Sequence, residues 1–188
     1  MNEKRPLSTT RLELIPATAP LVRAEMGQAD LFSKLLGAEI PENWPPELLV
    51  DVLPFFLEQL ERHPEQTGWL SWYWVLRGDA EAVLVGSGGF KGCPQPDGTI
   101  EVGYSVLPQY QGYGYATEAV SGLLSWAFAH AEVSRVIAET LPDNERSIRL
   151  LERLNFLCTG QGSEPGLIHF ELARASYHKT TLRPYCVK

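Results

Sequence analysis

The chain is expected to fold as one α/β domain of the α+β type: a central, mostly antiparallel mixed sheet of about six or seven strands, flanked by about four helices. Three observations carry this expectation. The 188 residues are 44% apolar and 21% charged, a composition that suits a single well-buried core. Runs of β-prone residues alternate with stretches of three-and-four apolar spacing, and no repeat, low-complexity segment or linker divides them. β runs paired across short turns outnumber strand–helix–strand units, which makes antiparallel neighbours the rule.

Leu12, Leu14 and Ile15 in RLELIPA form a short first strand that Pro16 ends. Residues 18–37 are polar to amphipathic and read as helical. AEIPENWPP at 38–46 carries three prolines, which excludes regular structure there. Its final Pro-Pro-Glu opens a helix through Leu49, Val52, Leu53, Phe56, Leu57 and Leu60, kinked or delayed by Pro54. WLSWYWVLR at 69–77 and EAVLVGSGGF at 81–90 are β-prone runs broken at Gly78 and Asp79. They read as a hairpin, with Trp72 and Trp74 on one face and Trp69 and Tyr73 on the other, packing in the core. IEVGYSVL at 100–107 is a further strand, stopped by Pro108. Ala116, Ala119, Val120, Leu123, Leu124, Ala127 and Phe128 recur at three and four, the mark of a helix with one buried face. RVIAETL at 135–141 returns to strand, and Pro142-Asp143-Asn144 leads into a helix with Ile148, Leu151 and Leu154 on one side. Short strands near 156–160 and 166–173 complete the domain, assigned to residues 1–175. The polar, basic stretch 176–188 is a tail to which no fold is assigned.

Sixteen Lys and Arg against 23 Asp and Glu give a net charge of -7. No cationic field is available for a phosphate backbone, so no nucleic-acid partner is expected, whereas a basic acceptor is tolerated. Cys93, Cys158 and Cys186 are sparse, with no CxxC pair and no His at ligand spacing, so neither a disulfide framework nor a metal site is expected. No apolar run of membrane-spanning length and no signal peptide is legible; the expectation is a cytoplasmic protein with no membrane partner.

The segment with chemical content is Gln111-Gly112-Tyr113-Gly114-Tyr115-Ala116, lying between a strand and an amphipathic helix. Glycines let the backbone turn sharply beside a ligand, and the unpaired N–H groups of the first helical turn then face outward at the positive end of the dipole. Such a loop can cradle an anion, although a tight turn alone would also explain it. A phosphate loop of the Gly-Lys-Ser/Thr kind is not matched here, nor in Gly86-Ser87-Gly88-Gly89-Phe90-Lys91. A dinucleotide fingerprint would need a third glycine where Thr117 stands.

The segment closely resembles the Gln/Arg-x-x-Gly-x-Gly/Ala loop of the Gcn5-related N-acetyltransferase superfamily. The resemblance runs from IEVGYSVLP through QGYGYATEA to DNERSIRLLERLNF, which is similar to that superfamily's second signature, and is strong over residues 81–160. TTRLEL and the Pro-flanked Trp44 further resemble the branch containing the ribosomal-protein N-terminal alanine acetyltransferases. The loop pattern can also start at Gln109, but the following Tyr-Ala-Thr-Glu-Ala favours Gln111.

The resemblance implies acetyl-CoA as acyl donor and an amine acceptor, either a small molecule or a protein N-terminus, with no metal. It implies that the backbone of Gln111, Gly112, Tyr113, Gly114, Tyr115 and Ala116 binds the pyrophosphate, with charge supplied by more distant groups such as Lys91 or Arg149. Val106 would pair with the pantetheine arm, Tyr104 or Ser105 would lie nearer the acetyl carbonyl, and Asn144 would hold the far side. Glu101 stands where family members place a carboxylate that deprotonates the amine directly or through water. The tyrosine that many members use as acid is Leu151 here, and Ser147 is the nearest replacement; the alternative is that the thiolate, with an ordinary thiol pKa of roughly 8.5, leaves without an acid. Trp44 is a candidate to line the acceptor cleft or to anchor its loop. His130 reads as a surface residue compensating a helix end, and His169 as structural. The expected activity is direct acetyl transfer in a ternary complex by a monomer or homodimer. The competing reading is a non-catalytic acyl-CoA-binding sensor or interaction module.

Overall fold

The structure, a computed structural model, describes residues 5–78 and 81–177. Its strands are β1 (Leu7–Ser8), β2 (Leu12–Pro16), β3 (Ser71–Leu76), β4 (Val83–Phe90), β5 (Thr99–Val106), β6 (Arg135–Thr140), β7 (Leu157–Gln161) and β8 (Ile168–Ala173). They form a single sheet in the order β1-β2-β3-β4-β5-β6-β8-β7. The described residues therefore hold eight strands, more than the six or seven expected; the addition is the two-residue β1, too short to leave a periodic signal. Every neighbouring pair is antiparallel except β5 with β6.

The helical segments are α1 (Ala19–Glu25), α2 (Ala29–Leu36), α3 (Glu47–Val50), α4 (Leu53–Arg62), α5 (Tyr115–Phe128) and α6 (Glu145–Arg153), of which α3 is a single turn. The stretch 18–37 is two helices, because Gly27 and Gln28 interrupt it and α2 ends on Gly37 in the left-handed region. Pro54 sits in the first turn of α4, where its missing N–H costs no helical bond. No helix among the described residues is long and apolar enough to cross a membrane.

β3 is buried along nearly its whole length because both of its faces are covered, so its sequence is continuously apolar and does not alternate. Trp72 and Trp74 point into the larger core with α5, while Tyr73 and Val75 join α1, α2 and α4 in a second core on the opposite face. Trp69 departs from expectation: it belongs with Trp72 and Trp74, because it precedes the strand and does not follow its alternation. Gly88 of β4 is where the sheet requires a bare backbone, since a Cβ there would stand 2.5 Å from the Trp74 ring. His130 is not a plain surface residue. Its Nδ1 lies 2.9 Å from the Trp126 carbonyl at the end of α5, and its ring packs against Trp69 and Trp126. Cys93 and Cys158 are exposed; Cys186 and the tail beyond Tyr177 lie outside the described residues.

Candidate active site

The site originates in the one parallel pairing. β5 and β6 are matched only over Thr99–Glu101 and Arg135–Ile137, yet β5 runs on to Val106 and β6 to Thr140. Beyond Glu101 that edge of β5 has no strand partner, and the two strands part around a cleft of about 850 Å³. Tyr104, Ser105 and Val106 line it from β5, Ala138, Glu139 and Thr140 from β6, and Asn144 and Ser147 from α6. An unpaired strand edge offers backbone groups to an extended, amide-bearing ligand.

At its upper end the cleft meets the glycine loop. Gly112 and Gly114 have φ of 84° and 83°, a region that favours glycine, and Gly114 is the N-cap of α5. No side chain caps that helix, so the amides of its first turn are left for a ligand. Gln111, Gly112, Gly114, Tyr115 and Ala116 line the cleft. Tyr113 does not: its side chain is exposed and stacks on Tyr115. The Gln111 Nε2 donates to the Val106 carbonyl at 2.9 Å and its Oε1 accepts from Arg146, so this glutamine ties loop, strand and α6 together. Gln109 instead exchanges two hydrogen bonds with Asn43, at 2.9 and 3.0 Å, which leaves Gln111 as the first residue of the loop.

The loop rests on residues that the sequence reading missed. Arg11 Nη1 donates to the Tyr113 carbonyl at 2.9 Å, its guanidinium lies 4.6 Å from the Tyr115 ring centre, and its Nε donates to Glu118 at 2.7 Å. Glu118 is only 6% exposed and also accepts from Thr9 Oγ1 and the Arg11 amide, both at 2.6 Å. Burial by itself would raise the Glu118 carboxyl; the bonds from Thr9 and Arg11 outweigh it and hold the group below its ordinary range. An acid in the first turn of a helix was the visible signal. Its partners, more than a hundred residues earlier, left none.

Two of the proposed chemical groups meet. The Tyr104 phenol and the Ser147 hydroxyl are 2.8 Å apart, and the Asn144 Oδ1 accepts from the Ser147 amide at 3.2 Å as the N-cap of α6. Burial raises the Tyr104 phenol, with the Ser147 bond acting the other way, so it stays protonated at neutral pH. Leu151 is 0% exposed and points into the core, as its spacing with Ile148 and Leu154 implies.

Other expected residues lie elsewhere. Glu101 is not among the cleft-lining residues; it is half-buried, ion-paired with Lys91, and roughly 13 Å along the strand from Ser105. Lys91 is therefore engaged near the start of β5, and the cations at the loop are Arg11 and Arg146. Trp44 is also outside the cleft lining. Its indole donates to Glu25 at 2.8 Å and its ring packs in the second core, where Tyr73 OH donates to the same carboxylate at 2.5 Å. Burial pushes the Glu25 carboxyl up to about 7 against these two bonds, which act to lower it. Among the described residues no group of three His, Cys, Asp or Glu is placed to hold a metal ion.

Residues 25–157 match the family described as the acetyltransferase (GNAT) domain. The uncharacterized N-acetyltransferase YjdG of Bacillus subtilis is 34% identical over 158 residues, which cover 84% of this chain and 93% of that protein. The ribosomal-protein-S5-alanine acetyltransferase of Vibrio fischeri shares the fold with a TM-score of 0.60 at 20% identity, over 93% of this chain and 99% of the other. So does the microcin C7 self-immunity acetyltransferase MccE, solved in complex with acetyl-CoA and AMP, with a TM-score of 0.59 at 18% identity over 87% and 93%.

Proposed function

The chain belongs to the GNAT acetyltransferase family and is an N-acetyltransferase, and from that membership we propose that it moves an acetyl group from acetyl-CoA to a primary amine by direct attack in a ternary complex. The observation that carries the reading is the position of the uncapped α5 N-terminus, at the mouth of the cleft where β5 and β6 part. Aligned amides and a helix dipole suit a pyrophosphate, the free β5 edge suits a pantetheine arm, and about 850 Å³ accommodates both. Acetyl-CoA supplies an activated thioester.

The chain's own residues supply position and protons. Gln111, Gly112, Gly114, Tyr115 and Ala116 bind through their backbone, with Tyr113 contributing its carbonyl to the Arg11 support. Val106 orients the arm. The attacking amine must be neutral and gives up a proton as the N–C bond forms; Glu101 takes it through water, given its distance from the cleft. As the C–S bond breaks, the sulfur takes a proton from the Tyr104–Ser147 pair, which occupies the role that Leu151 cannot fill. This hydroxyl pair is also the argument against a non-catalytic binding module, a reading that rested on the missing tyrosine.

The acceptor is a protein N-terminus or a small amine; the Vibrio fischeri neighbour, named for a ribosomal protein, supports the first. The test is thiol release from acetyl-CoA with a panel of amines and N-terminal peptides, followed by mass spectrometry of the acceptor. An acetylated α-amino or side-chain amine is expected. Thiol release that no amine or peptide stimulates would overturn the reading.

A further inference from the structure

A chain of net charge -7 places three arginines on one helix beside the cleft. Arg146, Arg149 and Arg153 are spaced by three and four, so they share a face of α6, and all three line the cleft. Across from them stand Ala116 and Thr117 in the first turn of α5, which carry no charge. The acid of that turn, Glu118, is turned away to Arg11. Glu139 also lines the cleft, but its carboxylate is held by the amide and hydroxyl of Ser163, at 2.7 and 2.6 Å.

The arginines are not neutralised within the molecule. Arg146 donates to an uncharged partner, Gln111. Arg149 reaches Glu145 at 3.2 Å, an exposed pair of the kind that contributes little. Arg153 makes no ion pair among the described residues. From Arg146 to Arg153 the helix rises about 10 Å, too long a row for one phosphate group seated on the α5 amides. The row suits an additional anion, separated from the first by a spacer.

We propose that the outer arm of the cleft, between the first turn of α5 and the arginine face of α6, holds the 3′-phosphate of coenzyme A. This rests on the acetyl-CoA reading above and deepens it. Coenzyme A carries a pyrophosphate and, one ribose further on, a phosphomonoester. The α5 amides take the first and the guanidinium forks of Arg149 and Arg153 take the second, with Arg146 at the junction. The consequence is a donor class: the enzyme draws acyl groups from free acyl-coenzyme A and discriminates against acyl-phosphopantetheine carried on a protein, which lacks the nucleotide.

The test is calorimetric titration of the full chain with coenzyme A, dephospho-coenzyme A and 4′-phosphopantetheine. Coenzyme A is expected to bind about ten- to a hundredfold more tightly than the dephospho form, a preference that shrinks with added salt. Arg149→Gln with Arg153→Gln should remove most of that preference, moving the affinity for dephospho-coenzyme A by less than about twofold, and Arg153→Lys should retain part of it. These side chains are exposed, and thermal melting of each variant verifies the fold. Equal affinities for the two nucleotides in the parent, or a preference that survives the double substitution, would overturn the proposal and leave the acetyl-CoA reading standing. Failure of all three ligands to bind would overturn both.

Discussion

The phenol oxygen of Tyr104 lies 2.8 Å from the Oγ of Ser147, joining the strand beneath the cleft to the first turns of the helix beside it. If this pair protonates the departing sulfur, Ser147→Ala and Tyr104→Phe should each slow a single turnover by about two orders of magnitude and barely change acetyl-CoA affinity. Because the two act as a unit, the double variant should be no worse than the poorer single one. An unaltered chemical step in Ser147→Ala would mean that the thiolate leaves without help from the protein.

Gly114 caps α5 with φ of 83°, and a Cβ there would approach Arg11 Nη2 to 3.5 Å. Gly114→Val therefore combines backbone strain with a disturbed support. It is expected to weaken acetyl-CoA binding at least tenfold, read by titration calorimetry; undiminished affinity would remove the loop from the donor site.

Glu101→Gln is expected to lower turnover by about two to four orders of magnitude, most steeply at the acidic end of the pH range, where the amine most needs a base. Acetyl-CoA affinity should stay near that of the parent. A pH–rate profile that superimposes on the parent's would make Glu101 merely the ion-pair partner of Lys91.

Glu25 links stability to pH. Burial raises its carboxyl from 4.5 to about 7 in the folded chain, so the folded state holds this proton more tightly than the unfolded one. Its contribution to stability is full below about 4.5 and is lost as pH rises toward 7. Glu25→Gln keeps an acceptor for Tyr73 and Trp44 and has no proton to lose. Urea unfolding at pH 5 and pH 8 should show the parent losing on the order of 2–3 kcal/mol more than the variant across that interval.

What the sequence made legible was local. The glycine loop, the apolar stripe of α5 and the strand before them are adjacent in the chain, and their period and turn chemistry led to an anion cradle without knowledge of any long-range contact. The second signature was legible for the same reason: Asn144 caps the helix that carries Ser147 and Leu151, so all three stay within three helical turns. The rest depended on contacts between distant segments. Arg11 looked like an ordinary charge in a strand lead-in until Glu118 came beside it. Trp44 looked available for a ligand because nothing in its proline-rich loop revealed that Glu25 would bond its indole. Glu101 and Lys91 were each given functional places, and their attraction to one another, invisible along the chain, holds them together near the start of β5.

The recognisable family segment begins at residue 25, whereas the support of the cradle begins at Thr9 and Arg11. The boundary drawn by kinship and the boundary drawn by mechanics thus differ by at least fourteen residues. A chain trimmed to start at Leu12 would retain the expected catalytic side chains and β2 through β8. It would lose the guanidinium beneath Tyr113 and the three hydrogen bonds that Thr9 and Arg11 give to Glu118, stranding a buried carboxylate at the first turn of α5. Such a truncation should melt earlier than the full chain and bind acetyl-CoA more weakly, both measurable side by side, so the N-terminal hairpin is a working part of the cofactor grip and a poor place to cut.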